Sequence, residues 1–249
     1  KHLELPYQQN DLINEIQKVN ENIGVILISG NAVAMPWIKR VKGLVQTWYL
    51  GSETGHALAD VLSGDVNPSG KLPFSFPLRL EDNSAHYFGE SSYPGDGINQ
   101  YYKDDILIGY RWHETKKIDP LFAFGYGLSY TNFELKNMKT DKKSYRAGDH
   151  IKISCLLKNT GLVEGAETIQ LYVGKPNSKV ARAKKELKAF EKVWLAKGED
   201  QVVELSIEVD QLAYYDENIS DWNLEQGSYI LYLGNASNNI IEEVKIKIN

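Results

Sequence analysis

The sequence predicts an α/β layer followed by an antiparallel β-sandwich, and three observations carry that prediction. Helical and apolar extended segments alternate from Pro6 to Gly64, the order of a mostly parallel sheet layered with helices. From Thr131 onward the texture changes to short runs of period-2 alternation, which suits strands buried on one face. Turn signals at Gly148, Gly161, Gly198, Gly227 and Gly234 separate those runs at the spacing of a sandwich of about seven strands.

Pro6 opens a segment in which Leu12, Ile13, Ile16 and Val19 share one helical face, and proline is suited to a first turn. Gly24-Val-Ile-Leu-Ile-Ser29 is continuously apolar and β-branched, the pattern of a central parallel strand covered on both sides. Gly30 and Asn31 allow a turn at its carboxyl end, Met35-Pro36-Trp37 begins a short connection, and Leu44 to Tyr49 supplies a second strand. A helix after Gly51, with Glu53 in its first turn, places Ala57, Leu58, Val61 and Leu62 on one face, and Gly64 is positioned to close it. Lys71 to Phe76 is expected to be a short or edge strand, because Pro73 and Pro77 cannot donate to a ladder.

Residues 81–105 are rich in Gly, Ser, Tyr, Asn and Asp and show neither period. Loops of that length inside a domain usually have a binding or packing role. Ile106 to Trp112 returns to strand character, and the aromatic, glycine-containing run from Phe122 to Tyr130 forms the link. Beyond it the inward faces are Ile169, Leu171 and Val173, then Val203, Leu205, Ile207 and Val209, then Tyr229, Leu231 and Leu233, then Val244, Ile246 and Ile248. The domains are therefore expected at 1–125 and 126–249.

Two long runs add a family resemblance. One is Gly51-Ser-Glu-Thr-Gly55 followed by Ala59-Asp-Val-Leu-Ser-Gly-Asp-Val-Asn-Pro-Ser-Gly-Lys-Leu-Pro73; the other is Pro120-Leu-Phe-Ala-Phe-Gly-Tyr-Gly-Leu-Ser-Tyr-Thr-Asn-Phe133. In this order they resemble the C-terminal α/β domain of glycoside hydrolase family 3, the β-glucosidases and β-xylosidases, and its junction into the last domain. The resemblance implies that the first part is a portion of that α/β domain and the second a fibronectin type III-like sandwich, of the immunoglobulin-like class. It implies the C-terminal fragment of a retaining, exo-acting β-glucosidase that removes terminal non-reducing β-D-glucosyl residues from β-glucosides or oligosaccharides. Such hydrolysis needs two carboxyl groups flanking the scissile bond. In the family the nucleophilic Asp lies in an N-terminal (β/α)8 barrel and the acid/base Glu just before the helix that opens this chain, so both positions fall upstream of Lys1. By resemblance the chain holds no catalytic residue, has that barrel as its partner, walls and buttresses the cleft, and is inert alone.

Composition excludes several other classes. Hydrophobic content of 42% and charged content of 24% are those of an ordinary globular chain. A net charge of −5 does not suit a nucleic-acid partner, and no apolar run reaches the length of a membrane span. The single Cys155, alternating with Ile151, Ile153 and Leu157, reads as a buried strand residue and leaves no disulfide framework. His2, His56, His86, His113 and His150 lack metal-ligand spacing, so neither metal nor cofactor is expected.

The substrate-binding candidates are Tyr87, Tyr93 and Tyr101 in the long loop, where His86, Phe88 and Tyr102 add aromatic area and Asp96, Asn99 and Asp104 could accept from hydroxyls. The competing reading is that this loop packs on the barrel. Glu53 sits at a strand's carboxyl end, where α/β ligands bind, but the favoured reading is a carboxylate complementing a helix N-terminus, worth ~0.3–1 kcal/mol. Two motifs are decoys. Ser220-Asp221-Trp222 spells the family's nucleophile motif but falls in the sandwich, where a loop Asp beside a packing Trp is the expectation. Gly64 to Leu72 resembles a phosphate loop but has one residue too many and Leu72 where magnesium binding needs a hydroxyl. The alternative function is a carbohydrate-binding or adhesion module without catalysis, although no row of exposed Trp is evident. A sheet lacking early strands would expose an edge and an apolar face, so a homo-oligomer is also expected.

Overall fold

The computed structural model describes residues 2–249, and the elements of the first third follow the sequence signals over shorter spans. The chain divides into two units, the first comprising residues 1–66, 75–104 and 119–122, the second 67–74, 105–118 and 123–249. In the first, helix α1 (Gln9–Gln17) follows Pro6, whose carbonyl accepts from Gln9 N at 3.3 Å. Trp37, wholly buried, is fixed by donating its indole N–H to Asn10 Oδ1 at 2.7 Å. Strand β1 (Gly24–Leu27) pairs in parallel with β2 (Gly43–Gln46), Val25 opposite Leu44 and Ile26 opposite Val45. The expectation that β1 is central and covered on both sides is not met. It pairs with β2 alone among the described residues, and Leu27 is buried while Ile26 and Ile28 are exposed. Helix α2 (Thr54–Ser63) ends at Gly64, which takes the left-handed conformation and returns its N–H to Val61 O at 3.2 Å. Helix α3 is the single turn Ser84–Tyr87.

Two expected strands do not form. Over Lys71–Phe76 the prolines break the ladder, and only Phe76 makes a bridge, antiparallel to Phe122, its N–H donating to Phe122 O at 2.8 Å. The segment expected to be a strand at Ile106–Trp112 instead turns at Gly109 into helix α4 (Tyr110–Lys116). Burying Trp112 and His113 together on one turn outweighs the local alternation, and His113 Nδ1–H closes the end by donating to Ile118 O at 2.9 Å.

The remaining strands of the second unit are β3 (Phe133–Thr140), β4 (Ser144–Tyr145), β5 (His150–Asn159), β6 (Gly165–Gly174), β7 (Glu186–Leu195), β8 (Asp200–Glu208), β9 (Tyr214–Asp216), β10 (Asp221–Asn223), β11 (Gly227–Ala236) and β12 (Asn239–Ile248). They form a five-stranded sheet in the order β4-β12-β11-β6-β7, a three-stranded sheet β3-β5-β8, and the separate hairpin β9-β10. The sandwich thus has eight strands rather than about seven, the two-residue β4 adding a parallel edge to β12. All four alternating faces expected from the sequence point inward, with Val244 only partly covered. Each wholly buried aliphatic contributes roughly 1.5–3 kcal/mol relative to exposure. Cys155 lies in that core, and burial, with a smaller contribution from the Glu242 charge, pushes its thiol up to about 11.

The two family-like runs meet in this unit. Leu72 N donates to Tyr126 O at 2.9 Å and Gly125 N to Leu72 O at 2.8 Å. Asn67 Oδ1 accepts from Ser129 Oγ and Tyr130 N at 2.9 and 2.8 Å, while its amide donates to Glu164 O at 2.8 Å. Lys71 Nζ donates to Gly127 O at 2.8 Å and pairs with Glu167 Oε1 at 2.6 Å, both side chains largely buried. At Gly127 an added Cβ would strike the Gly70 carbonyl, so the close approach of the two runs requires glycine there.

A second buried acid organises the loop ahead of β7. Burial alone would raise the Glu225 carboxyl, but the Lys179 N–H at 2.8 Å, the Ser178 hydroxyl and the Lys175 and Arg182 charges outweigh it and hold it below the usual glutamate value. Its stabilising contribution is therefore present above the unfolded pKa of about 4.3 and is lost as pH falls through the lower folded value. Glu225→Gln is expected to lower the urea midpoint more at pH 7 than at pH 3. Equal losses at both pH values would contradict this.

Candidate functional site

Ligands of open α/β sheets bind outside the carboxyl ends of the strands, and the first unit has distinctive backbone there. Thr47, buried just after β2, donates both its N–H and its hydroxyl to Leu27 O at 2.9 Å, tying the two strand ends together. The next residue, Trp48, has φ of 57°, a left-handed conformation costing roughly 1–3 kcal/mol in a bulky residue. The reversal brings the Tyr49 ring against Gly30, at the end of the first strand, where a side chain would collide with it. Gln46 Nε2 spans the same gap to Ser29 O at 3.0 Å. Trp48 and Tyr49 escaped the sequence reading as site residues. Their one signal is an aromatic pair between an apolar strand and Gly51.

Glu53 ends the 3-10 turn Gly51–Glu53 and precedes α2 rather than lying in its first turn. Its Oε2 lies 2.7 Å from His56 Nδ1, both side chains exposed, and it makes no capping bond. This arrangement is a surface pair one turn apart, beside the N-terminus of α2.

The three loop tyrosines are all exposed to solvent. Tyr93 packs edge-on to His86 at 4.8 Å between ring centroids, while Tyr87 turns to Phe88 at 5.3 Å. Tyr93 and Tyr101 belong to one folded loop: Tyr93 N donates to Gly89 O at 3.2 Å, Tyr101 N to Ser91 O at 3.2 Å, and Lys103 Nζ to Ser91 Oγ at 2.8 Å. The polar residues expected to meet sugar hydroxyls are partly committed elsewhere. Asp96 Oδ1 accepts from Asn99 N and Ile98 N, and these bonds hold its carboxyl below the ordinary range. Asp104 is buried and accepts from Ser84 Oγ at 2.8 Å. The tyrosine faces are thus among the exposed aromatic surface of this loop.

Both decoys resolve structurally. The lysine of the phosphate-loop look-alike is Lys71, bound to Glu167 and Gly127. Asp221 lies on β10 rather than in a loop, and Trp222, expected to pack, is 67% exposed. Asp216 stands opposite Asp221 in the hairpin register, so a second carboxyl group is within one cross-strand pair. Its oxygens accept from Asn223, Asn218 and Tyr214, which together hold its pKa below the ordinary value. A general acid in glycoside hydrolysis needs the opposite shift.

Residues 1–130 match the family model described as glycosyl hydrolase family 3 C-terminal domain, and residues 167–237 match the fibronectin type III-like domain. A β-glucosidase of Bacteroides ovatus is 51% identical over 237 residues, covering 95% of this chain and 32% of that protein. Thermostable β-glucosidase B of Acetivibrio thermocellus is 41% identical over the whole chain, again 32% of its own length. The crystal structure of a Streptomyces venezuelae β-glucosidase in complex with D-glucose superposes on all of this chain with a TM-score of 0.93 and 34% identity, using 31% of its own residues. The chain spans about a third of the length of the relatives it matches.

Proposed function

Because the chain belongs to glycoside hydrolase family 3, we propose that it serves as the C-terminal portion of a retaining, exo-acting β-glucosidase. In this reading the nucleophilic Asp and the acid/base Glu come from the barrel-bearing portion of the enzyme. This chain walls the cleft with the carboxyl ends of β1 and β2 and the loop carrying Tyr87, Tyr93 and Tyr101. The observation that carries the reading is the likeness of the entire chain to one third of a β-glucosidase solved with glucose.

The test is a chimera in which this chain replaces the matching third of the Bacteroides ovatus β-glucosidase. It is expected to hydrolyse an aryl β-glucoside, and Tyr93→Ala in that chimera to raise KM with little change in kcat. A folded chimera without turnover would contradict the proposal. Alone, the chain exposes Ile26 and Ile28 on a two-stranded sheet, surfaces that drive association. Light scattering is expected to show oligomers, and a monomer over a wide concentration range would count against this.

A further inference from the structure

We infer that the second unit has a binding site of its own for a neutral saccharide, in a cleft of about 770 Å³ beside the β9-β10 hairpin. The inference rests on the cleft alone and does not depend on the hydrolytic reading.

One wall is aromatic. Trp222 and Tyr215 are cross-strand partners, their rings edge-on at 5.8 Å, and they remain 67% and 53% exposed. A three-residue hairpin gains little from aromatic side chains left in water. As a shelf for the apolar face of a pyranose, the same pair has a use. Much of the remaining lining is charged or polar. Arg182, largely buried, donates through Nη2 to Leu212 O at 2.9 Å, but its Nη1 has no hydrogen-bond partner, lying 3.8 Å from Glu225 Oε2. Arg111 Nε, also buried, lies 3.3 Å from Glu186 Oε1 and is not hydrogen-bonded to it. Glu186 alone faces three cations, with Arg182 Nη2 and Lys188 Nζ at 3.8 and 3.6 Å.

Arg111 and Arg182 line the cleft, where the N–H groups that face it can donate to a ligand oxygen. The charges lining the cleft indicate what kind of oxygen. Arg111, Arg182 and Lys188 are balanced by Glu186, Glu208 and Asp210, so there is no surplus positive charge to select an anion. Equal numbers of charged donors and acceptors instead match hydroxyl groups, each of which accepts from one neighbour and donates to another. The volume is that of small-molecule sites. A pair of exposed aromatics and guanidinium and ammonium donors matched by an equal number of carboxylates together specify a neutral, hydroxyl-rich ring.

The test is a titration of cellobiose and, separately, maltose into the chain, read from the five tryptophan indole N–H signals and the backbone amides by NMR. With either sugar, the Trp222 signal is expected to shift saturably while that of Trp194, exposed on β7 and not lining the cleft, stays in place. Trp222→Ala and Tyr215→Ala, both on an exposed hairpin, are each expected to weaken binding at least tenfold with the rest of the amide spectrum retained. Three results would overturn the proposal: no shift with either sugar up to its solubility limit, shifts that survive Trp222→Ala, or at least tenfold tighter binding of glucuronic acid than of both neutral sugars.

Discussion

Glu167→Ala is expected to destabilise the second unit by about 3–5 kcal/mol, because it leaves the buried Lys71 ammonium without its counter-charge. The carboxylate has further duties. Oε1 also accepts from Thr168 N at 2.7 Å, and Oε2 from Asn235 Nδ2 at 3.1 Å. Removing it orphans the lysine and two donors together. At roughly 2–4 °C per kcal/mol for a unit of this size, Tm should fall by on the order of ten degrees. The double variant Lys71→Met, Glu167→Leu removes both charges and should recover much of the loss, since an apolar pair of similar volume is often neutral or stabilising. A single-variant loss below about 1 kcal/mol, the usual value of an exposed pair, would show that the pair is solvated.

The same pair explains why the most recognisable run in the sequence is also easy to misread. Asn67, Gly70 and Lys71 have the composition of a phosphate loop, yet Asn67 and Lys71 are fixed by contacts nearly a hundred residues away at Glu164 and Glu167. No local pattern encodes such partners. What local pattern does encode is the sandwich. Alternation at Ile169, Leu171 and Val173 and at Tyr229, Leu231 and Leu233 places them in the core because a strand's period is fixed at two. Where burial of one large side chain decides the conformation, the reading fails. Trp112 draws the segment after Gly109 into a helix although Ile106 and Ile108 alternate as a strand would.

The candidate sites were legible to different degrees. The loop tyrosines could be named from composition, but not that Asp96 and Asp104 are engaged within the loop. The left-handed Trp48 has no residue-type signal, because the reversal after β2 is imposed by Thr47 bonding across to Leu27. Trp222 was legible only as half of a false motif. Its exposure follows from Tyr215 being paired with it across a hairpin too short to bury either.

Asn159→Ala is the second substitution with a large expected effect. The side chain is wholly buried and uses all four of its hydrogen-bonding positions. Oδ1 accepts from Thr131 Oγ1 at 2.7 Å and Gly161 N at 3.0 Å, while Nδ2 donates to Val163 O at 2.8 Å and Leu195 O at 3.2 Å. It thereby ties the turn after β5 to the end of β7 and to the residue that leads into β3. Each buried group left unpaired costs roughly 1–3 kcal/mol, so a loss of about 3 kcal/mol or more is expected as a lower urea midpoint with an unchanged m-value. Asn159→Asp keeps the two acceptor contacts but sets a buried carboxylate oxygen against the Val163 and Leu195 carbonyls, so its midpoint is expected to fall at least as far. A loss under about 1 kcal/mol in the alanine variant would mean that water replaces the amide.

The central claim is that this chain supports glycoside hydrolysis without performing it. Its most direct test is turnover of a chromogenic aryl β-glucoside by the purified chain at high concentration, with an Asp221→Ala preparation alongside to reveal contaminating hydrolase. The account predicts no turnover, or the same trace in both preparations, since Asp216 opposite Asp221 is held ionised by Asn223, Asn218 and Tyr214. Turnover in the unmodified chain that disappears in Asp221→Ala would contradict it and make Asp221 a working nucleophile.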